Sequence, residues 1–142
     1  MASRNAMRAP AWFWLVCGLA LLWEAAGVAA YLGQVYGDGA ALSEAQRSLI
    51  RSTPAWVTGA YATAVFAGLA GAVSLLLKRR WAASLFILSL AAAVVQFGWV
   101  FTAGRAAELL GPSAAIFPVA TILVGVALVW LARRADRNGW LR

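Results

Sequence analysis

Four long apolar stretches, separated by short polar segments, organise the chain. They cover residues 11–33, 55–77, 81–103 and 114–132. A helix rises about 1.5 Å per residue, so each stretch would be roughly 28 to 35 Å long. The hydrocarbon core of a bilayer is about 30 Å thick, so each can cross it once. Spanning strands would need only about ten residues of alternating polarity, and these runs show neither feature. Inside lipid each backbone donor and acceptor must be satisfied within the protein, which leaves helices. The pattern predicts an all-α membrane protein, with a four-helix transmembrane bundle as a single domain over residues 1–142.

The links refine this picture. Lys78-Arg79-Arg80 is so short that the second and third spans must form a tight antiparallel hairpin. The first long link, residues 34–53, is long enough to hold structure. Ser43-Glu44-Ala45-Gln46 reads as a capping box. Leu42, Ala45, Leu49 and Ile50 then share one helical face, with Glu44, Arg47 and Arg51 around the other. A short amphipathic helix is expected there, on the membrane surface or capping the bundle, with an irregular polar loop as the alternative. Ser113 and the Ser52-Thr53-Pro54 run are expected to start the fourth and second spans. Pro118 should bend the fourth span slightly or begin its regular part.

Small residues recur at four-residue spacing. Ala60, Ala64, Gly68 and Ala72 form one row on the second span, and Gly59, Thr63, Ala67 and Gly71 the adjacent one. The first span carries a shorter row, Ala25, Ala29 and Gly33. Such rows let helix backbones approach closely. The second span is therefore expected at the centre of the bundle.

Composition agrees. Of 142 residues, 63% are hydrophobic and only 12% charged, with a mean hydropathy of +0.78. That excludes an ordinary soluble globule, a disordered chain and a disulfide-stapled module. The first span starts with basic residues and contains Val28-Ala29-Ala30, which resembles a signal cleavage site. Its apolar run is longer than the usual ~7–15 residues of a signal, and it carries Glu24, so it is read as a retained span.

The net charge of +7 would suggest nucleic acid in a soluble protein, but here the basic residues cluster at span ends. One side holds Arg4, Arg8, Lys78, Arg79, Arg80, Arg133, Arg134, Arg137 and Arg142; the other holds only Arg47, Arg51 and Arg105. By the positive-inside rule both termini are expected in the cytoplasm. Trp12, Trp14, Trp81 and Trp130 then mark the inner interface, and Tyr36, Trp56 and Trp99 the outer one. The expected surroundings are lipid, not nucleic acid.

The chemical inventory is sparse. There is no histidine, and the one cysteine, Cys17, sits in the first turns of its span. No metal site, cofactor site, catalytic triad or phosphate-binding loop is legible, so no enzyme is expected. Glu24 is the one ionisable residue deep in a span. An intramembrane carboxyl is expensive and marks a functional-site candidate by default. Thr63, Gln96 and Thr121 lie at matching depth in the other three spans, each about 10 to 14 Å below the outer end. Tyr31 and Gln34 extend the Glu24 face outward, and Ser89 extends the Gln96 face inward. Glu24 is expected to hydrogen-bond Gln96 or a nearby threonine. The layer is either a polar cavity open to the outside or a buried cluster that sets helix register.

Several stretches resemble a family of small bacterial four-span proteins often labelled "sugar transporter". They are residues 22–31 (Leu22-Trp23-Glu24 onward), 52–58 (Ser52-Thr53-Pro54-Ala55-Trp56 onward) and 78–82, and Leu85 to Leu90 with Gln96. The ending Asn138-Gly139-Trp140-Leu141 belongs to the same likeness, which covers nearly the whole chain. It implies a four-helix protein of the bacterial inner membrane and carries no catalytic or binding residues across. Members commonly have Asn after the first-span Trp, where this chain has Glu24.

Two functions follow from these readings as expectations. The first is transport or binding of a small solute by a homo-oligomer, with Glu24 in the polar layer. One chain of four spans is too small to supply two halves that rock about a midplane site, and the charge bias requires any dimer to be parallel. The second is a non-catalytic accessory or assembly subunit of a larger membrane complex.

Overall fold

The computed structural model describes residues 8–142, so the expected contribution of Arg4 lies outside the described residues. The chain forms α1 (Ala11–Tyr36), α2 (Glu44–Ser52), α3 (Ala55–Leu76), α4 (Ala82–Phe101), α5 (Ala106–Leu110), a 3-10 turn (Pro112–Ala115) and α6 (Ile116–Arg137). Four helices are long and apolar enough to cross a membrane, which makes this an all-helical, multi-pass membrane protein. Both ends of the described chain lie at one end of the bundle, where Trp140 packs on Phe13 with ring centroids 5.3 Å apart. This is the terminal end of the bundle; α2 and α5 mark the loop end.

The central place of α3 follows from its small residues. It packs against both α1 and α4, and α4 packs against α6. Of its first row, Ala64, Gly68 and Ala72 are buried and Ala60 is half-buried. The adjacent row divides: Ala67 and Gly71 are buried towards the terminal end, while Gly59 and Thr63 are exposed towards the loop end. At Gly71 the missing side chain makes room for Phe86, since a Cβ there would come within 2.9 Å of the ring. The α1 row behaves otherwise. Ala25, Ala29 and Gly33 all face outward.

The terminal half is packed solid. Phe13, Cys17 and Ala20 from α1 meet Leu75, Phe86 and Leu131, with Ala132 and Ala135 of α6 filling between them. The tail turns at Gly139 (φ 71°) and inserts Trp140 and Leu141 into this core. Its backbone pairs with the α3–α4 turn: Arg142 N–H donates to the Lys78 carbonyl at 2.6 Å, and Arg80 N–H donates to the Arg142 carbonyl at 3.0 Å. Arg80 also reaches Asp136 at 3.2 Å.

At the loop end the capping box is present. Gln46 N–H donates to Ser43 Oγ at 3.2 Å, and Ser43 N–H donates to Gln46 Oε1 at 2.8 Å. Leu42, Ala45, Leu49 and Ile50 are half-buried and the charged face is exposed. Helix α2 packs against α5, a short helix that the hydrophobic pattern does not announce. Ser52 and Thr53 finish α2 rather than starting α3, both donating to the Leu49 carbonyl at 2.8 Å. Ser113 does not cap α6 either: it falls inside the 3-10 turn, and no side chain caps the helix start. Pro118 lies in the first turn of α6, where its missing N–H has no helical partner to lose.

Candidate functional site

The loop-end half of the bundle is hollow. A cavity of about 260 Å³ lies among all four long helices, lined mostly by apolar side chains. It exists because α1 and α6 lack the close backbone packing that joins the other neighbours. Their seam is bridged instead by side chains, with Trp23 stacked on Phe117 at 6.1 Å and 27°.

Glu24 of α1 lines this space. Its carboxyl rests against the backbone of α3 at Gly68, where a Cβ would stand 2.6 Å from Glu24 Cδ. Only glycine at position 68 lets the carboxyl lie there, so α3's small row positions the candidate site as well as packing the bundle. Gln96 and Ser89 line the wall from α4, and Thr121 lines it from α6. Ser89 Oγ donates to the Ala64 carbonyl at 2.6 Å and ties α4 to α3 at the cavity wall.

The expected polar layer is therefore brought together only in part. Glu24, Gln96 and Thr121 share the cavity. Thr63 does not reach it: its side chain is exposed on the outside of α3 and donates to the Gly59 carbonyl of its own helix at 2.9 Å. Depth along the helix was matched for Thr63, but its angle around the helix points away. Tyr31 also stays off the wall. It packs edge-on against Tyr61 at 5.2 Å and Phe66 at 5.9 Å, in the contact between α1 and α3. The α3 residue that lines the cavity with a polar atom at its tip is Tyr61. Position 61 shares a helical face with 64, 65 and 68, and that spacing is the signal that would have found it.

The expected hydrogen bonds of Glu24 to Gln96 or a threonine are not formed among the described residues. Thr121 donates to the Phe117 carbonyl at 2.9 Å, back into its own helix. The ion pairs lie at the helix ends: Arg47 and Arg51 with Glu44, Arg105 with Glu108, and Arg80 with Asp136. Among the described residues no three His, Cys, Asp or Glu side chains come together as a metal site would require. Chemically, the site offers one carboxyl, one amide and a few hydroxyls on an aromatic, apolar wall.

The chain matches no protein-family model, no curated protein and no solved structure.

Proposed function

We propose that this is a bacterial inner-membrane protein that binds a small, mainly apolar solute in the α1–α3–α4–α6 cavity, as part of a transport or solute-binding homo-oligomer. The hollow loop-end half, with Glu24 on its wall and the carboxyl seated against Gly68, is the observation that carries this reading. A wall with so few polar groups suits an apolar body. A sugar would lose its water around a full set of hydroxyls and regain few hydrogen bonds here, at a cost of roughly 1–3 kcal/mol for each one unpaired. The reading is non-enzymatic, because a lone carboxyl without a partner base or metal supplies binding energy but no acid–base pair.

Charge placement supports cytoplasmic termini. Lys78, Arg79, Arg80, Arg133, Arg134, Arg137 and Arg142 gather at the terminal end with Asp136 as the acid among them. At the loop end each of the three arginines is paired with a glutamate. The test of solute binding is thermal unfolding in lipid nanodiscs with indole and with glucose. Indole should raise the midpoint and glucose should leave it unchanged, and the indole effect should vanish in Ala93→Leu, which fills the cavity. Stabilisation by glucose alone would overturn the reading.

One observation favours a second role, as an accessory subunit. Ala25, Ala29 and Gly33 form a small-residue row on α1 that no helix of this chain covers. Gentle solubilisation followed by native mass measurement separates the two: a homo-oligomer supports the solute-binding reading, and a fixed heteromeric complex supports the accessory one.

A further inference from the structure

We infer that the cavity takes a small organic cation with an apolar body, of the hindered or quaternary ammonium class, and that the cation enters sideways from the bilayer between α1 and α6. This rests on the solute-binding reading above and adds to it the charge of the solute and its route.

The charge follows from what surrounds Glu24. No Lys or Arg lines the cavity, and the described ion pairs are all at the ends of the bundle. An acid at this depth is costly and pairs where it can, and among the described residues this chain supplies it no cation. A bound cation completes the pair. The wall is suited to the rest of the ligand. Each long helix contributes one aromatic ring: Trp23 from α1, Tyr61 from α3, Phe97 from α4 and Phe117 from α6. Aromatic faces attract cations, and quaternary ammonium groups, which carry no N–H to satisfy, are the usual ligands of such cages. The volume of about 260 Å³ falls just below the range usual for drug-sized ligands, about 300–1,000 Å³, and so selects a small cation.

The route follows from the packing. The terminal half is closed by Phe13, Phe86, Leu131 and the inserted Trp140. The α1–α6 seam has no close backbone packing, and its bridging rings sit at the surface, Trp23 at 36% and Phe117 at 63% exposure. Rotation of two side chains opens this seam to the lipid. An amphiphilic cation already concentrates in the bilayer, so a lateral door meets it there.

The experiment is equilibrium binding of radiolabelled benzyltrimethylammonium to the full chain in nanodiscs, with empty nanodiscs as the blank. Saturable binding at one site per chain is expected. Glu24→Gln keeps the side-chain shape and should weaken binding at least tenfold while thermal unfolding and oligomeric state stay as in the parent. Neopentylbenzene, the neutral isostere, should compete at least tenfold more weakly than unlabelled benzyltrimethylammonium. Bridging Trp23→Cys and Phe117→Cys with a bifunctional thiol reagent should slow both association and release relative to the same double variant left unbridged. Equal affinity in Glu24→Gln, with binding still lost in Ala93→Leu, would overturn the cation assignment and leave a neutral-solute site standing. Binding of neither compound in any Ala93-dependent manner would overturn both readings. Unchanged rates in the bridged protein would overturn the lateral route.

Discussion

The carboxyl of Glu24 occupies the space that a side chain at Gly68 would need. A Cβ on Gly68 would lie 2.6 Å from Glu24 Cδ and 3.0 Å from Oε1, well inside van der Waals contact. Two residues in different helices, both legible in the sequence for separate reasons, thus form one feature: the glycine of a packing row is the seat of the intramembrane acid.

Gly68→Ala should therefore push the Glu24 carboxyl aside and destabilise the bundle by about 1 kcal/mol, the low end for overpacking, because the obstacle is the free end of a flexible side chain. Glu24→Ala removes the obstructing group, so the double variant should recover most of that loss. A double-mutant cycle read by reversible unfolding in mixed micelles would give the coupling, expected at roughly 0.5–3 kcal/mol for groups in contact. Additive losses would show that α3 is pushed away from α1 as a whole and that the carboxyl is not the obstacle.

The tail gives a second prediction. Trp140 is buried among Phe13, Trp12 and the end of α6, and its backbone N–H donates to the Ala135 carbonyl at 2.9 Å. Trp140→Ala should cost about 3–5 kcal/mol, the range for deleting a large buried ring. Removing residues 139–142 should cost at least as much, because the two backbone bonds to the α3–α4 turn go too. A thermal unfolding midpoint unaffected by the truncation would show that the tail merely rests on the bundle.

Cysteine chemistry tests the topology. Cys17 is fully buried in the terminal-half core, so it should not react with maleimide in the folded protein and need not be removed. A cysteine introduced at exposed Gln46 should label from outside intact cells, and one at Asn138 only after permeabilisation. The reverse pattern would invert the proposed orientation.

Much of the fold was legible because it depends on length and pattern. The four spans needed only apolar runs of the right length, and the capping box needed only Ser43 and Gln46 three residues apart. What depends on angle around a helix was harder to read. Matching depths placed Glu24, Gln96 and Thr121 in one cavity but also selected Thr63, which faces outward. The aromatic wall carries no such signal, since Phe97 and Phe117 look like any other apolar positions in a span. The tail insertion was hidden for another reason. Residues 138–142 are too short to show any period, and only the Gly139 turn brings Trp140 back onto Phe13.

The contrast between a packed terminal half and a hollow loop-end half leads to the last prediction, made with one substitution at two depths. Ala72 and Ala93 are both buried alanines on long helices. Ala72 lies in the core with Leu75, Phe86 and Cys17, whereas Ala93 lines the cavity. Three added carbons at position 72 have nowhere to go, so Ala72→Leu should destabilise by about 1–3 kcal/mol. At position 93 the same atoms enter empty space. Within a bilayer, burying them brings no large gain over lipid, but each new contact adds a little dispersion energy, ~0.1–0.2 kcal/mol per atom pair. Ala93→Leu should thus be neutral or slightly stabilising. Unfolding free energies of the two variants in the same micelles decide the matter. A loss at Ala93 as large as that at Ala72 would mean that the loop-end half has no usable space, and the solute-binding reading would fall with the cavity.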